Sequence, residues 1–360
     1  MKAFVTGGSG FIGQQVVKKL IESGYEVFAL ARSGQSTAVL QALGCTIVPG
    51  DITDVASMRA GMAGSDVVFH IAAWYKLGSD DWMKAEAVNV GGTRKVLRTA
   101  YELGIPKIIY TSTIAVFGDT HGQLVDETYY KGGPFLTEYD RTKWLAHYKV
   151  AIPLIEKGAP ITIVLPGAVY GPGDTSIVAE LMRQFYRGMP VLTGPETTLT
   201  YAHVEDIAEG HMLALKKGKP GESYILAGPA VPLGEMVDFW GHLTGKPAPL
   251  VRIPANFVKP FASLVGAMSK ILALPGMYNK DSVNSLGATY IARADKARAA
   301  LGWTTRPLQT GMKETFAWIQ ETEEARQPQP DREKQLAGIA VLAALALFIL
   351  WLLSRRRQTR

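Results

Sequence analysis

Tyr139 and Lys143 stand four positions apart, a spacing that sets both side chains on one face of a helix. The chain holds one such pair. A phenol with a pKa near 10 is a poor proton donor or acceptor at neutral pH. A cation held beside it favours the phenolate and brings it into a useful range for acid–base work. Shortly before this pair, an apolar run ends in Thr111-Ser112-Thr113. Thr113 could hold a carbonyl or hydroxyl oxygen by a hydrogen bond while Tyr139 gives or takes its proton, and Ser112 is the adjacent hydroxyl. The plainer reading is a set of exposed polar residues at a helix start.

A second constellation opens the chain. Lys2 to Thr6 reads as a strand and runs directly into TGGSGFIG at 6–13, followed by an apolar-periodic helix from Phe11 to Ser23. Gly7 permits a tight turn, Gly10 lets backbone approach a pyrophosphate, and Gly13 lets helix and strand pack closely. The unpaired N–H groups and the dipole of the helix N-terminus then favour the phosphates. Gly7, Gly10, Phe11, Ile12 and Gly13 are thus cofactor-binding candidates. The strand-to-helix context makes the triplet informative. Such a cofactor would present a positive nicotinamide ring to Tyr139 alongside Lys143. NAD-selective sites place a carboxylate at the end of the second strand for the ribose 2′-OH, whereas this chain has Ala29-Leu30-Ala31-Arg32-Ser33. Arg32 suits a 2′-phosphate, so NADP is favoured and NAD is the alternative. Asp51 and Ile52 fall where the adenine edge would be met. Asp51 could equally be the N-terminal cap of the next helix.

The elements that must position these residues follow from hydropathy. Tyr25–Ala31, Cys45–Val48, Val67–Ile71, Lys107–Thr111 and Ile161–Leu165 are short apolar runs alternating with helical patterns, as in βαβ units and a parallel sheet covered on both faces. The expected fold is α/β, a Rossmann-type doubly wound parallel sheet with a smaller C-terminal substrate lobe. The boundaries read as 1–170 for the dinucleotide domain and 171–325 for the substrate lobe, with some strands shared.

The 360 residues carry 38 Lys+Arg against 32 Asp+Glu, a net +6. Residues 331–360 hold four of those charges, leaving a nearly neutral body that argues against a nucleic-acid protein. After a linker at 326–335, residues 336–353 contain no charge; as a helix this span would reach about 27 Å, close to the hydrocarbon thickness of a bilayer. A basic tail, 354–360, closes the chain. These features predict a membrane protein with a C-terminal single-pass anchor and a cytoplasmic catalytic domain. Flanking basic residues lean toward keeping the tail cytoplasmic as well, so its topology stays open. One Cys and scattered His exclude a disulfide framework and predict no bound metal.

Together the motifs resemble the extended short-chain dehydrogenases/reductases over roughly residues 1–325. They are TGGSGFIG, Gly50-Asp51, His70-Ile71-Ala72-Ala73, Asn89-Val90-Gly91-Gly92-Thr93, TSTIAVFG at 111–118, Tyr139/Lys143, VYGPGD at 169–174 and His203-Val204-Glu205-Asp206. The resemblance implies catalytic roles for Thr113, Tyr139 and Lys143, cofactor contacts at Ala72 and Lys143, and a structural Asn89. The match looks closest to the dihydroflavonol reductase and 3β-hydroxysteroid dehydrogenase branch, through Ala292-Arg293-Ala294-Asp295-Lys296, Leu301-Gly302-Trp303 and Arg306-Pro307-Leu308. That branch implies a lipophilic secondary alcohol or ketone as substrate. Relatives are often dimers, which makes a homodimer one option, and the sequence itself leaves the oligomeric state open. A nucleotide-sugar epimerase or dehydratase is the second reading, weakened because Val164-Leu165-Pro166-Gly167-Ala168 lacks the Arg and Asn usual there. A non-catalytic cofactor-binding scaffold or redox sensor is the third.

Val251–Met277 is strongly apolar with helical spacing at Phe257, Val258, Phe261, Leu264, Val265, Met268, Ile271 and Leu272. It reads as a helix packed on the substrate lobe or lying at a bilayer surface. Trp74, Tyr75, Trp82 and Tyr130 are candidate linings of an apolar pocket, with plain core the commoner fate of aromatics.

Overall fold

Lys2–Thr6 (β1), Glu26–Ala31 (β2), Thr46–Pro49 (β3), Val67–His70 (β4), Ile108–Thr111 (β5) and Ile161–Pro166 (β6) are strands, within a residue or two of the apolar runs. In the computed structural model that describes residues 1–32, 34–75, 81–189, 191–193, 196–247, 250–252, 259–263 and 279–325, β4, β5 and β6 are buried along their whole length. Such runs must be covered on both faces, which is why they are apolar without alternation. Beyond β6 come Ala168–Tyr170 (β7), Val191–Thr193 (β8), Thr198–His203 (β9), Ser223–Leu226 (β10), Ala230–Pro232 (β11), Leu250–Arg252 (β12) and Thr289–Tyr290 (β13).

Seven strands form one parallel sheet in the order β10-β6-β5-β4-β1-β2-β3. The chain winds outward one way from β1 to β3 and resumes on the other side at β4. This reversal opens a crevice beyond the carboxyl ends of β1 and β4, the place where such sheets take ligands. The β10 strand follows residue 170 yet completes this sheet, and Ala292, Ala297, Leu301 and Trp303 lie in the same core.

A second core gathers Tyr170, Phe185, Tyr201, Trp240, Met312 and Phe316. Around it β9 pairs with β7 and β13 in parallel and with β11 antiparallel. The rings of Phe185, Trp240 and Phe316 meet edge to face at 5.8–6.0 Å, a geometry favoured by the ring quadrupoles.

The apolar segment at 251–277 is described only at 251–252, which are strand, and at 259–263, which are helical. Val251 belongs to β12, paired in parallel with β8, and Lys259–Phe261 makes one helical turn. The rest of that segment, the linker 326–335, the span 336–353 and the tail 354–360 lie outside the described residues. Among the described residues no helix is long and apolar enough to cross a membrane.

Candidate active site

The glycine loop is shaped by backbone collisions that a side chain would cause. Gly7 has φ +75°, and a Cβ there would stand 2.5 Å from the Ala72 amide nitrogen, where the chain leaves β4. A Cβ on Gly13 would collide with the Gly7 carbonyl. The Gly10 N–H donates to that carbonyl at 3.0 Å. Gly10 precedes helix Phe11–Glu22, which has no side-chain cap and no acidic residue in its first turn. The amides of Phe11, Ile12 and Gly13 therefore have no side-chain cap, and a helix N-terminus in that state suits an anion. A glycine cradle against an uncapped helix N-terminus fits the pyrophosphate of a dinucleotide.

Just past β2, Arg32 is 72% exposed and its Nε lies 3.8 Å from the Asp51 carboxylate. One Asp51 oxygen accepts both the Thr53 N–H (2.8 Å) and the Thr53 hydroxyl (2.7 Å). The next helix, Val55–Met62, is capped instead by Asp54, which accepts the Ala56 N–H. Asp51 is thus not the helix cap; it braces the turn three residues earlier and directs its other oxygen toward Arg32. Ile52 is buried against Gly92, where a Cβ would come within 2.6 Å of it.

Tyr139 and Lys143 lie on helix Glu138–Ala146, which the Thr137 hydroxyl caps by accepting the Asp140 N–H at 3.0 Å. The acids Glu138 and Asp140 in its first turn suit the dipole. Tyr139 is half-buried and hydrogen-bonded to Thr113. The Thr113 hydroxyl also accepts the Ala115 N–H, which fixes its direction. Burial, with Asp140 adding to it, holds the Tyr139 phenol above its ordinary pKa, while the Thr113 bond lowers it. Lys143 is buried, donates from Nζ to the Thr111 carbonyl at 2.9 Å, and is pushed down to about 7 by desolvation.

Ser112 points elsewhere. Its hydroxyl pairs with His147 Nδ1 at 2.9 Å, which takes it out of contention as a substitute for Thr113. Two further histidines serve similarly: His70 lies between the hydroxyls of Thr6 (2.8 Å) and Thr93 (2.9 Å), and His211 between the Thr111 hydroxyl and the Ile207 carbonyl (2.8 Å each). Burial pushes the three down to about 3 or 4, so they remain neutral spacers that tie strand ends to helices.

Asn89 is a clamp. Its amide accepts the Trp74 N–H (2.6 Å) and donates to the Trp74 carbonyl and to the Thr142 hydroxyl (3.0 Å each). The loop after β4 is thereby fastened to the helix of Tyr139, and Tyr75 is carried edge-on to the Tyr139 ring at 4.8 Å. Tyr75, Trp82 and Tyr130 are 44%, 55% and 59% exposed, so they are surface residues rather than core. Sequence reasoning passed over Asp140 and Tyr290: the Tyr290 hydroxyl donates to the buried Asp140 carboxylate at 2.9 Å. An acid in a first helical turn looks like an ordinary surface residue, and its partner is 150 positions away.

The model of the NAD dependent epimerase/dehydratase family matches residues 3–227. The chain belongs to that family. It is 32% identical over 326 residues to a Synechocystis protein named as a dihydroflavonol 4-reductase, covering 88% of this chain and 94% of that one. It is 27% identical to sterol demethylase protein B of Methylococcus capsulatus, covering 89% and 99%. It is 30% identical to the 4-hydroxy-2-methyl-3-oxo-4-farnesyl-3,4-dihydroquinoline-1-oxide ketoreductase of Stigmatella aurantiaca, covering 85% and 92%. Among solved structures, gox2253 superposes with a TM-score of 0.76 at 29% identity, covering 89% of this chain and 98% of that one. UDP-glucose 4-epimerase of Thermotoga maritima superposes at 0.73 with 24% identity, covering 90% and 100%, a likeness of fold. The protein is an NAD(P)-dependent oxidoreductase of the extended short-chain type, in the branch its motifs resemble.

Proposed function

We propose that this family member reduces a ketone, or oxidises the matching secondary alcohol, on a lipophilic molecule, with Tyr139 as the proton-transferring group. The observation that carries the reading is the Tyr139 hydroxyl held by Thr113 beneath the half-exposed ring of Tyr75. A polar reacting pair under an aromatic wall suits an oxygen on an otherwise apolar substrate. The names of the sterol and farnesyl-quinoline relatives point the same way.

A nicotinamide cofactor would supply or accept the hydride. The amides at Phe11–Gly13 would hold its pyrophosphate, Asp51 and Ile52 would meet its adenine, and Lys143 would hold its ribose. Thr113 orients the substrate oxygen. In reduction, Tyr139 gives that oxygen its phenolic proton as the carbonyl carbon receives the hydride; in oxidation the proton returns to Tyr139. Arg32 favours NADP because the end of β2 carries a cation and no acid. The span 336–353 anchors the enzyme in a bilayer, from which its substrate enters, and the catalytic domain is cytoplasmic.

The test is the full chain in detergent with NADPH against steroid- and flavonoid-type ketones, beside UDP- and dTDP-sugars. Net NADPH oxidation with the lipophilic panel is expected. Sugar conversion without net oxidation overturns the reading. Arg32→Ala is expected to weaken NADPH binding about tenfold, one lost charge-assisted contact, and NADH binding hardly at all. Equal weakening of both sinks the cofactor preference.

A further inference from the structure

Lys143 is 2% exposed, and among the described residues no carboxylate offsets that burial. A buried charge is costly unless something compensates it. Two groups of β5 do so. The Thr111 carbonyl accepts one N–H at 2.9 Å, and the ring of Tyr110, itself fully buried, stands with its centroid 5.1 Å from Nζ. At that distance the negative face of an aromatic ring attracts a cation. Tyr110 is the register partner of His70 across β4 and β5, so both side chains share one face of the sheet, and their rings stack at 5.5 Å. His70 is held in turn by Thr6, where β1 enters the glycine loop, and by Thr93. The titratable groups around Lys143 are His70, His147 one turn along its own helix, and Tyr139 one turn back. Burial and the Lys143 charge keep both histidines neutral.

We propose that Tyr110 is a positioning residue for the reaction: the face of its ring holds the Lys143 ammonium, charged, at the carboxyl end of β5. This rests on the reading of Lys143 as the group that meets the cofactor ribose and favours the Tyr139 phenolate. A carboxylate in the same place would also hold the ammonium, but it would cancel its charge and occupy its remaining N–H groups. A ring quadrupole attracts the cation while adding no net charge, so the field of Lys143 still reaches the turn where Tyr139 stands. Desolvation pushes Lys143 down to about 7, so a modest attraction decides whether its charge is present at neutral pH. Through His70 and Thr6 the ring, and the cation with it, is tied to the strand end that opens the glycine loop.

The experiment needs neither cofactor nor substrate. The full chain in detergent, with lysine isotope-labelled at Cε, is titrated by NMR, and the Lys143 signal is assigned by its loss in Lys143→Met. Tyr110→Leu removes the π face, and Tyr110→Phe keeps it. In Tyr110→Leu the Lys143 midpoint is expected to fall by roughly half to one pH unit, the worth of one buried cation–π contact. In Tyr110→Phe it is expected to stay with the parent chain. An unchanged or raised midpoint in Tyr110→Leu overturns the proposal, since removing a merely structural ring would admit water and favour the cation. A fall of equal size in Tyr110→Phe overturns it too, by pointing to the hydroxyl instead of the ring. If Tyr110→Leu is not recovered folded, trifluorophenylalanine introduced in place of Tyr110 decides: it keeps the shape of phenylalanine and drains charge from the ring face. A midpoint below that of Tyr110→Phe is expected, and an equal one overturns the proposal. Turnover surviving in Lys143→Met would instead bring down the reading of Lys143 in the reaction, whatever the titration shows.

Discussion

The two ends of the crevice are built by different means. At the cofactor end, recognition is made of backbone: Gly7 and Gly13 are sites where atoms had to be absent, and the anion site is the bare start of a helix. At the reacting end, recognition is made of side chains, with Thr113, Tyr75 and the Tyr139–Lys143 pair delivered by three separate segments and held by hydrogen bonds and a ring contact. A backbone-built site tolerates almost no added volume but is indifferent to charge. A side-chain-built site keeps its shape when one functional group is removed, and loses the chemistry.

The contrast predicts opposite consequences for single-atom changes. Tyr139→Phe deletes one hydroxyl; kcat should fall on the order of 10²- to 10⁴-fold, the usual worth of a general acid, with NADPH affinity and thermal stability nearly unchanged. A comparable loss of affinity would mean that the two ends are not separate. Gly13→Ala adds one methyl where no space exists; calorimetry should show destabilisation of roughly 2–4 kcal/mol, with NADPH binding weakened at least about tenfold. Normal binding in that variant would break the distinction from the other side. Lys143 belongs to both ends, and its effect on stability is the smallest of the three. Its pKa is depressed from 10.5 to about 7 in the folded chain, so its burial costs stability fully below about pH 7, and the cost fades as pH rises toward the unfolded value. Lys143→Met should therefore abolish turnover yet raise Tm by a few degrees at neutral pH, with the gain shrinking by pH 10. A gain that grows with pH would contradict the buried-cation picture.

The same division explains what could be read from the sequence. Glycines required by steric exclusion leave a fixed spacing, and fully buried strands leave unbroken apolar runs, so β1–β6 and the loop at 6–13 were legible. Thr113, Tyr139 and Lys143 were legible as residue types at a known interval. The directions of side chains were not: Ser112 and Thr113 are neighbours with similar hydroxyls, and only the fold turns one to His147 and the other to Tyr139. Asp51 and Asp54 are both plausible caps three residues apart, and the winner depends on where the helix starts. Long-range partners such as Tyr290 for Asp140, or Asn89 for the Trp74 backbone, leave no periodic trace. The strand at 250–252 stands at the head of the apolar run, ahead of the helical spacing that begins at Phe257, and is too short to show a period of its own.

The position of β10 at the edge of the large sheet, and of Trp303 in its core, has a meaning for how the enzyme is made. The cofactor half cannot close when residue 170 leaves the ribosome: its edge strand arrives 53 positions later, at Ser223, and the residues sealing its flank, from Ala292 on, more than a hundred positions later. At translation speeds of about 5–20 residues per second, the apolar edge of β6 waits several seconds for its neighbour. The nascent chain is then at its most adhesive, and a shielding chaperone would be most useful in that interval.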